Sequence, residues 1–164
     1  LGPLVNPLRP KSQVLGVAMP ELLDPMAEAL QRLGLDRAVV VHGAGGIDEA
    51  SLEGVNAMRL IEQGNVRELL LDPSDLGMAA APLKALKGGD LEVNKDILTS
   101  VLKGSGTSAQ RDVVALNTAL VLWAAGLEDD FLTGLTNAQS CLDEGLPWKR
   151  LESLRKALDH QIGE

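Results

Sequence analysis

The chain has 164 residues, is 45% hydrophobic and carries a net charge of −8. That composition excludes a disordered tail and supplies enough apolar side chain for one domain-sized core. The acidity disfavours nucleic acid and anionic membrane as partners. With Trp123, Phe131 and Trp148 as its aromatic residues and no Tyr, the core must rest on aliphatic side chains, and no base-stacking platform is available.

A single cysteine, Cys141, precludes an intrachain disulfide and suits a reducing, cytoplasmic setting. Its apolar helical surroundings read as a small buried hydrophobe rather than a nucleophile. No signal peptide is evident and no apolar run reaches spanning length; "VVALNTALVLWAAGL" is interrupted by Asn117 and Thr118 and reads as a buried soluble helix. The densest basic group, Lys149, Arg150, Arg155 and Lys156, alternates with acids and reads as a solvated helix face. Because residue 1 is Leu, the chain is expected to be processed or to be a piece of something longer.

In chain order, the proline-dense "LGPLVNPLRPK" predicts an extended connector, neither helix nor central strand. A short buried strand follows over 13–18. Leu22, Leu23, Met26, Leu30 and Leu33 then form one helical stripe closed by Gly34. Its start is open: Pro20 could occupy the first helical position, or Asp24 could cap with Pro25 just inside. "RAVVVHG" (37–43) is the clearest strand, its continuous β-branched run predicting burial on both faces, as in a parallel strand. Strand, helix, strand at this spacing predicts a βαβ unit with a right-handed crossover. "EASLEGVNAMRLIEQGN" reads as a short weak helix or irregular segment, and "VRELLLD" (66–72) as a third strand. The remainder reads as helices: one capped by Asp90 with Ile97, Leu98, Val101 and Leu102 inward; one opening at Ser108 and closing at Gly126; one marked by Phe131, Leu135, Ala138 and Leu142; and one by Leu151, Leu154, Leu158 and Ile162. The fold class is α/β, a small, mostly parallel sheet flanked by helices with a helix-rich second half, incomplete for a doubly wound domain.

Chemistry concentrates in "HGAGGIDEAS", residues 42–51, beyond the carboxyl end of the clearest strand, where open α/β sheets collect ligands. The segment matches neither G-x-G-x-x-G nor G-x-x-x-x-G-K-[ST], which disfavours a nucleotide-phosphate loop. Asp48 and Glu49, if on a turn, could converge on Mg²⁺, a hard cation that keeps several waters and shares substrate phosphates. Spacing alone favours a humbler role, Asp48 capping a following helix with Glu49 in its first turn. His42 reads as a hydrogen-bonded structural residue. "KGSGTSAQRD" and "KGGD" read as turns with helix caps at Ser108 and Asp90. No metal-ligand Cys/His spacing and no Ser-His-Asp arrangement is present.

"LGPLVNP" at 1–7, "HGAGGIDEAS" at 42–51 and "RDVVALNTALVLWAAG" at 111–126, in this order and spacing, resemble the anthranilate phosphoribosyltransferases. The resemblance implies a large α/β domain of the nucleoside phosphorylase and phosphoribosyltransferase type, joined through hinge segments to a small helical domain. Residues 1–12 would be hinge and connector, and 13–164 part of the α/β domain. The implied reaction transfers phosphoribose from phosphoribosyl pyrophosphate (PRPP) to anthranilate and releases pyrophosphate, in tryptophan biosynthesis. The implied assembly is a cytoplasmic homodimer. Asp48 and Glu49 would be Mg²⁺ ligands acting by charge, and Gly2 and Pro3 would lie near anthranilate. Bond breaking at the ribose C1 builds positive charge on the sugar, so positioning and stabilisation of the leaving pyrophosphate would carry catalysis, with no residue of this chain as acid or base.

The family's G-T-G-G-D and K-H-G-N motifs and its anthranilate-binding arginine precede LGPL in family order and are absent from this sequence. The chain is therefore expected to be the carboxyl-terminal part of the enzyme, inactive and poorly soluble when isolated. Two rival readings are a pyrimidine-nucleoside phosphorylase-like enzyme and a non-catalytic, nucleic-acid-binding relative of the same fold. The DE pair with LGPL-x-NP argues against the first, and the net charge against the second.

Overall fold

A computed structural model describes residues 2–8 and 10–162, with Gly2, Pro3 and residues 160–162 described in backbone only. Four strands form one sheet in the order β1-β2-β3-β4: Ser12–Gly16, Arg37–His42, Asn56–Glu62 and Asn65–Leu71. Five α-helices accompany them: α1 (Leu23–Arg32), α2 (Leu91–Leu102), α3 (Ser108–Ala124), α4 (Phe131–Asp143) and α5 (Leu146–Ile162).

The α/β class and the helical second half agree with the sequence. β1 and β2 pair in parallel around α1, giving the expected βαβ unit. β2–β3 and β3–β4 are antiparallel, so the sheet is mixed rather than mostly parallel. The reason is β3, in the stretch read as weak helix or irregular. Met, Leu and Ala suit a helix, but along "NAMRLIE" Met58 and Leu60 pack on one face of the sheet while Ala57 and Ile61 pack on the other. That is the period of a strand buried on two sides. The chain reverses at Gln63-Gly64, both at positive φ (51° and 75°), as a two-residue type I′ hairpin requires.

The same alternation in β2 builds two cores. Ala38 and Val40 meet Leu23, Ala27 and Leu30 of α1. Val39 and Val41 belong to the other core, with Leu116 and Leu120 of α3 and Leu135 and Leu142 of α4. All four β2 side chains are essentially inaccessible. α1 is further tied down by Arg59 of β3, whose guanidinium reaches Asp24 at 2.6 Å and Glu68 at 3.4 Å. The hydrogen bond to Asp24 raises the Arg59 pKa above its ordinary value, so the cation persists at every working pH.

Element starts follow capping chemistry, with some corrections. The first helix begins as a 3₁₀ turn at Pro20–Leu22 and continues as α1, placing Pro25 in the first α turn, where its missing N–H has no intrahelical use. Asp24 pairs with Arg59 and caps nothing. Asp90 caps α2 by accepting from the Val93 N–H, as expected. α3 is capped by Thr107, not Ser108, through a reciprocal box with Gln110. The connector holds a 3₁₀ turn at Gly2–Val5, although the prolines argued against any helix; the first turn of a helix is where proline is tolerated. Among the described residues, no helix is long and apolar enough to cross a membrane.

Candidate functional site

Past the carboxyl ends of β1 and β2, residues 43–55 form an irregular loop before β3 begins. It opens with a tight reversal, in which the Gly43 N–H donates to the Ile47 carbonyl at 2.9 Å and the Gly46 N–H to the Gly43 carbonyl at 3.0 Å. No helix follows, so the capping role that spacing assigned to Asp48 and Glu49 has nothing to cap. Both acids are exposed on the bend that leaves the reversal.

Their backbone is held closely. A methyl group built on Gly16, at the end of β1, would overlap the Asp48 carbonyl oxygen, and one on Gly43 would overlap that of Glu49. Both strand ends therefore need glycine because the acidic segment lies directly on them. The next residue, Ala50, is buried and gripped from α3: Asn117 Oδ1 accepts from its N–H at 2.9 Å, and Asn117 Nδ2 donates to its carbonyl at 2.8 Å.

Behind the loop lies a second amide. Asn56, 0% exposed, accepts through Oδ1 from the N–H groups of Ser51 (2.7 Å) and Ala44 (3.3 Å). Its Nδ2 donates to the carbonyls of Ser51 (3.1 Å), Gly54 (3.2 Å) and Leu71 (3.0 Å). One side chain thus satisfies buried backbone at the beginning and middle of the loop and at the end of β4. Ser51, also fully buried, accepts from the Glu53 N–H through Oγ at 3.0 Å. His42 is structural, as read from the sequence: its Nδ1–H donates to the Val17 carbonyl at 2.9 Å.

Asp48 and Glu49 supply hard oxygen donors on a backbone with little freedom. Among the described residues no group of three His, Cys, Asp or Glu side chains comes together. Two carboxylates suit Mg²⁺, whose remaining positions are ordinarily filled by water and substrate phosphate. Gly2 and Pro3 lie, beyond their backbone, outside the described residues. Their neighbours Leu4, Val5, Asn6 and Pro7 join Leu33–Asp36 around a cleft of about 690 Å³ beside the start of β2, the end of that strand away from the acids. Cys141 is half-buried on α4. Lys149, Arg150, Arg155 and Lys156 are exposed on α5, as a solvated face should be.

Sequence reasoning missed both asparagines. Asn117 was visible as a polar break in an apolar helix; its partner is 67 residues away. Asn56 sits in a segment misread as helix or irregular.

Known proteins share this architecture. An anthranilate phosphoribosyltransferase of Prochlorococcus marinus (strain MIT 9313) is 71% identical over all 164 residues, which make up 47% of its length. One from Parasynechococcus marenigrum (strain WH8102) is 65% identical over 96% of the chain and 45% of its own length. The chain thus spans about half the length of the curated relatives it matches. The crystal structure of anthranilate phosphoribosyltransferase from Thermus thermophilus superposes with a TM-score of 0.82 at 41% identity, over 93% of this chain and 44% of that one. The Saccharomyces cerevisiae enzyme in complex with PRPP and Mg gives 0.81 at 26% identity, with the same coverage. Motifs, fold and relatives agree, and with residues 1–147 matching its a/b domain, the chain belongs to the glycosyl transferase family.

Proposed function

We propose that this chain is the α/β portion of an anthranilate phosphoribosyltransferase, which moves phosphoribose from PRPP to the amine of anthranilate and releases pyrophosphate. In this reading residues 1–12 are the hinge and connector and 13–164 the α/β portion, and the intact enzyme is a cytoplasmic homodimer. Asp48 and Glu49 hold Mg²⁺, and Gly2 and Pro3 border the anthranilate site. The observation that carries the reading is the pair of exposed carboxylates on a loop gripped at the carboxyl ends of parallel strands. The 71% identical relative and the PRPP- and Mg-bound yeast neighbour support it.

When bound, Mg²⁺ offsets the charge of the departing pyrophosphate. The chain's own contribution is to hold two carboxylates at fixed positions. Their work is electrostatic, and proton transfer is left to the amine and solvent. The strand-end glycines keep side chains out of the floor beneath the acids, and the Asn56 and Asn117 amides fix the loop backbone, so the loop need not reorganise as charge develops.

The test is pyrophosphate release by the full-length protein from PRPP and anthranilate. Mg²⁺-dependent turnover is expected, and its loss in Asp48→Asn/Glu49→Gln with an unchanged melting temperature. No turnover of these substrates by the unmodified protein would refute the reading, and an unaffected double variant would remove the acids from it. The isolated 164-residue chain should show no turnover. Large hydrophobic side chains lie open on it, among them Leu70 and Leu91 at 76% and 79% exposure, which predicts self-association.

A further inference from the structure

Three successive residues of the acidic loop are gripped from three different places in the fold. Gly16 of β1 meets the Asp48 carbonyl, Gly43 at the end of β2 meets the Glu49 carbonyl, and Asn117 of α3 bonds both the N–H and the carbonyl of Ala50. The first two grips are backbone against backbone. The third is a side chain, and it is the one that reaches from the helical layer to the loop. Asn117 is itself steadied, since its Nδ2 also donates to the Val113 carbonyl one turn earlier, at 3.0 Å. Both amide hydrogens are therefore committed and Oδ1 accepts one bond, and the amide lies in a helix whose neighbouring side chains, Leu116 and Leu120, are fully buried. A half-buried amide on an otherwise apolar stripe carries a desolvation penalty unless it is satisfied, and here its satisfaction depends on the loop keeping one conformation.

We propose that Asn117 is a positioning residue for the cation site: by clamping Ala50, it sets where the Asp48 and Glu49 carboxylates stand and so tunes Mg²⁺ affinity. This rests on the reading of the two acids as Mg²⁺ ligands. The Asn117 amide is taken up by the backbone of Ala50 and Val113, and it acts through the backbone it holds.

The test uses the full-length protein and Mg²⁺ binding in the presence of inorganic pyrophosphate, followed by calorimetry, with turnover measured in parallel. Asn117→Ala should raise the Mg²⁺ concentration at half-saturation on the order of tenfold, the low end for groups that orient metal ligands. Its kcat should recover at saturating Mg²⁺. Asn117→Asp keeps the acceptor for the Ala50 N–H but sets an acceptor against the Ala50 and Val113 carbonyls, so it should do no better; it also serves if the alanine variant fails to fold. Val101→Ala, a core truncation in α2, controls for general destabilisation and should leave the Mg²⁺ midpoint in place.

Loss of Mg²⁺ binding in Asp48→Asn/Glu49→Gln, together with a raised midpoint in the Asn117 variants alone, supports the proposal. A wild-type midpoint in the Asn117 variants, with binding lost in the acid variant, overturns the proposal and spares the reading beneath it. Equal shifts in Val101→Ala overturn it as well, since any loss of stability would then suffice. Wild-type Mg²⁺ binding by the acid variant overturns both.

Discussion

The loop after β2 and the turn between β3 and β4 lie at opposite ends of the same sheet, and the glycines at the foot of the loop and in the turn serve opposite purposes. At the foot of the loop glycine is needed for space: Gly16 of β1 and Gly43 leave room for the carbonyls of Asp48 and Glu49, while Gly45 and Gly46 at the loop's tip turn at positive φ. In the turn it is needed for conformation. Gly64 sits at φ 75° with nothing near where a Cβ would stand. The loop is locked by two asparagines, Asn56 buried and Asn117 half-buried, whereas the turn is held from outside by Gln31, whose Nε2 donates to the Gly64 carbonyl at 2.6 Å in an exposed setting. The segment proposed to present the two acids is held through its backbone from several parts of the fold. A segment that only reverses the chain needs little beyond its own dihedral preferences.

The largest expected effect follows from the lack of space. Gly43→Ala forces a methyl group onto a carbonyl oxygen that Asn117 and the Gly43–Ile47 bridge keep from retreating. Overpacking of this kind costs about 3 kcal/mol, measurable as a lowered denaturation midpoint of the full-length protein. Gly16→Ala should behave alike. Gly64→Ala meets no neighbour and should cost only about 1 kcal/mol, through strain at positive φ. If the two classes lose equal stability, the contrast between space and conformation fails.

How much of this was legible in the sequence divides along the same line. β2 announced itself through an unbroken β-branched run, and α4 through the spacing of Leu135, Ala138 and Leu142, because those signals are local. The candidate acids were found as a pair and given weight by family motifs, while their supports were not: a glycine that yields to a carbonyl far along the chain has no local signature. Asn117 showed only as an interruption, since its meaning depends on Ala50 across the fold. β3 was lost because its helix-favouring residues outweighed its alternation and because Gln-Gly is a weaker hairpin signal than Asn-Gly. That weakness predicts a gain. Gln63 is the described non-glycine residue at positive φ, and Gln63→Asn should stabilise the protein by about 0.5 kcal/mol, because asparagine tolerates the left-handed region better. A loss of stability would show that the turn is held by Gln63 contacts rather than by dihedral preference.

The smallest effect separates the two regions by pH. The asparagine clamps of the loop do not titrate. Helix starts on the exposed periphery are instead held by carboxylates: Asp130 accepts from the Thr133 N–H at 2.8 Å and its hydroxyl at 2.6 Å, and Asp72 accepts from the Ser74 N–H at 2.9 Å. The hydrogen bonds from Thr133 and Ser74 hold these two carboxyls below the usual aspartate pKa. A folded-state pKa below the unfolded one means that the stabilisation is fully present above the ordinary aspartate range, near pH 4, and is lost as the pH falls through the lower folded-state value. Denaturation of wild type and Asp130→Ala should therefore differ most at neutral pH and converge as the carboxyl protonates. Asp130→Asn caps without a charge, so its advantage over Asp130→Ala should stay constant through the same range. Asn56→Ala removes hydrogen bonds that do not titrate, so its deficit should persist through the same acid range. A deficit in Asn56→Ala that vanished with that of Asp130→Ala would mean that the loop, too, is held by charge, and the distinction between the two regions would be lost.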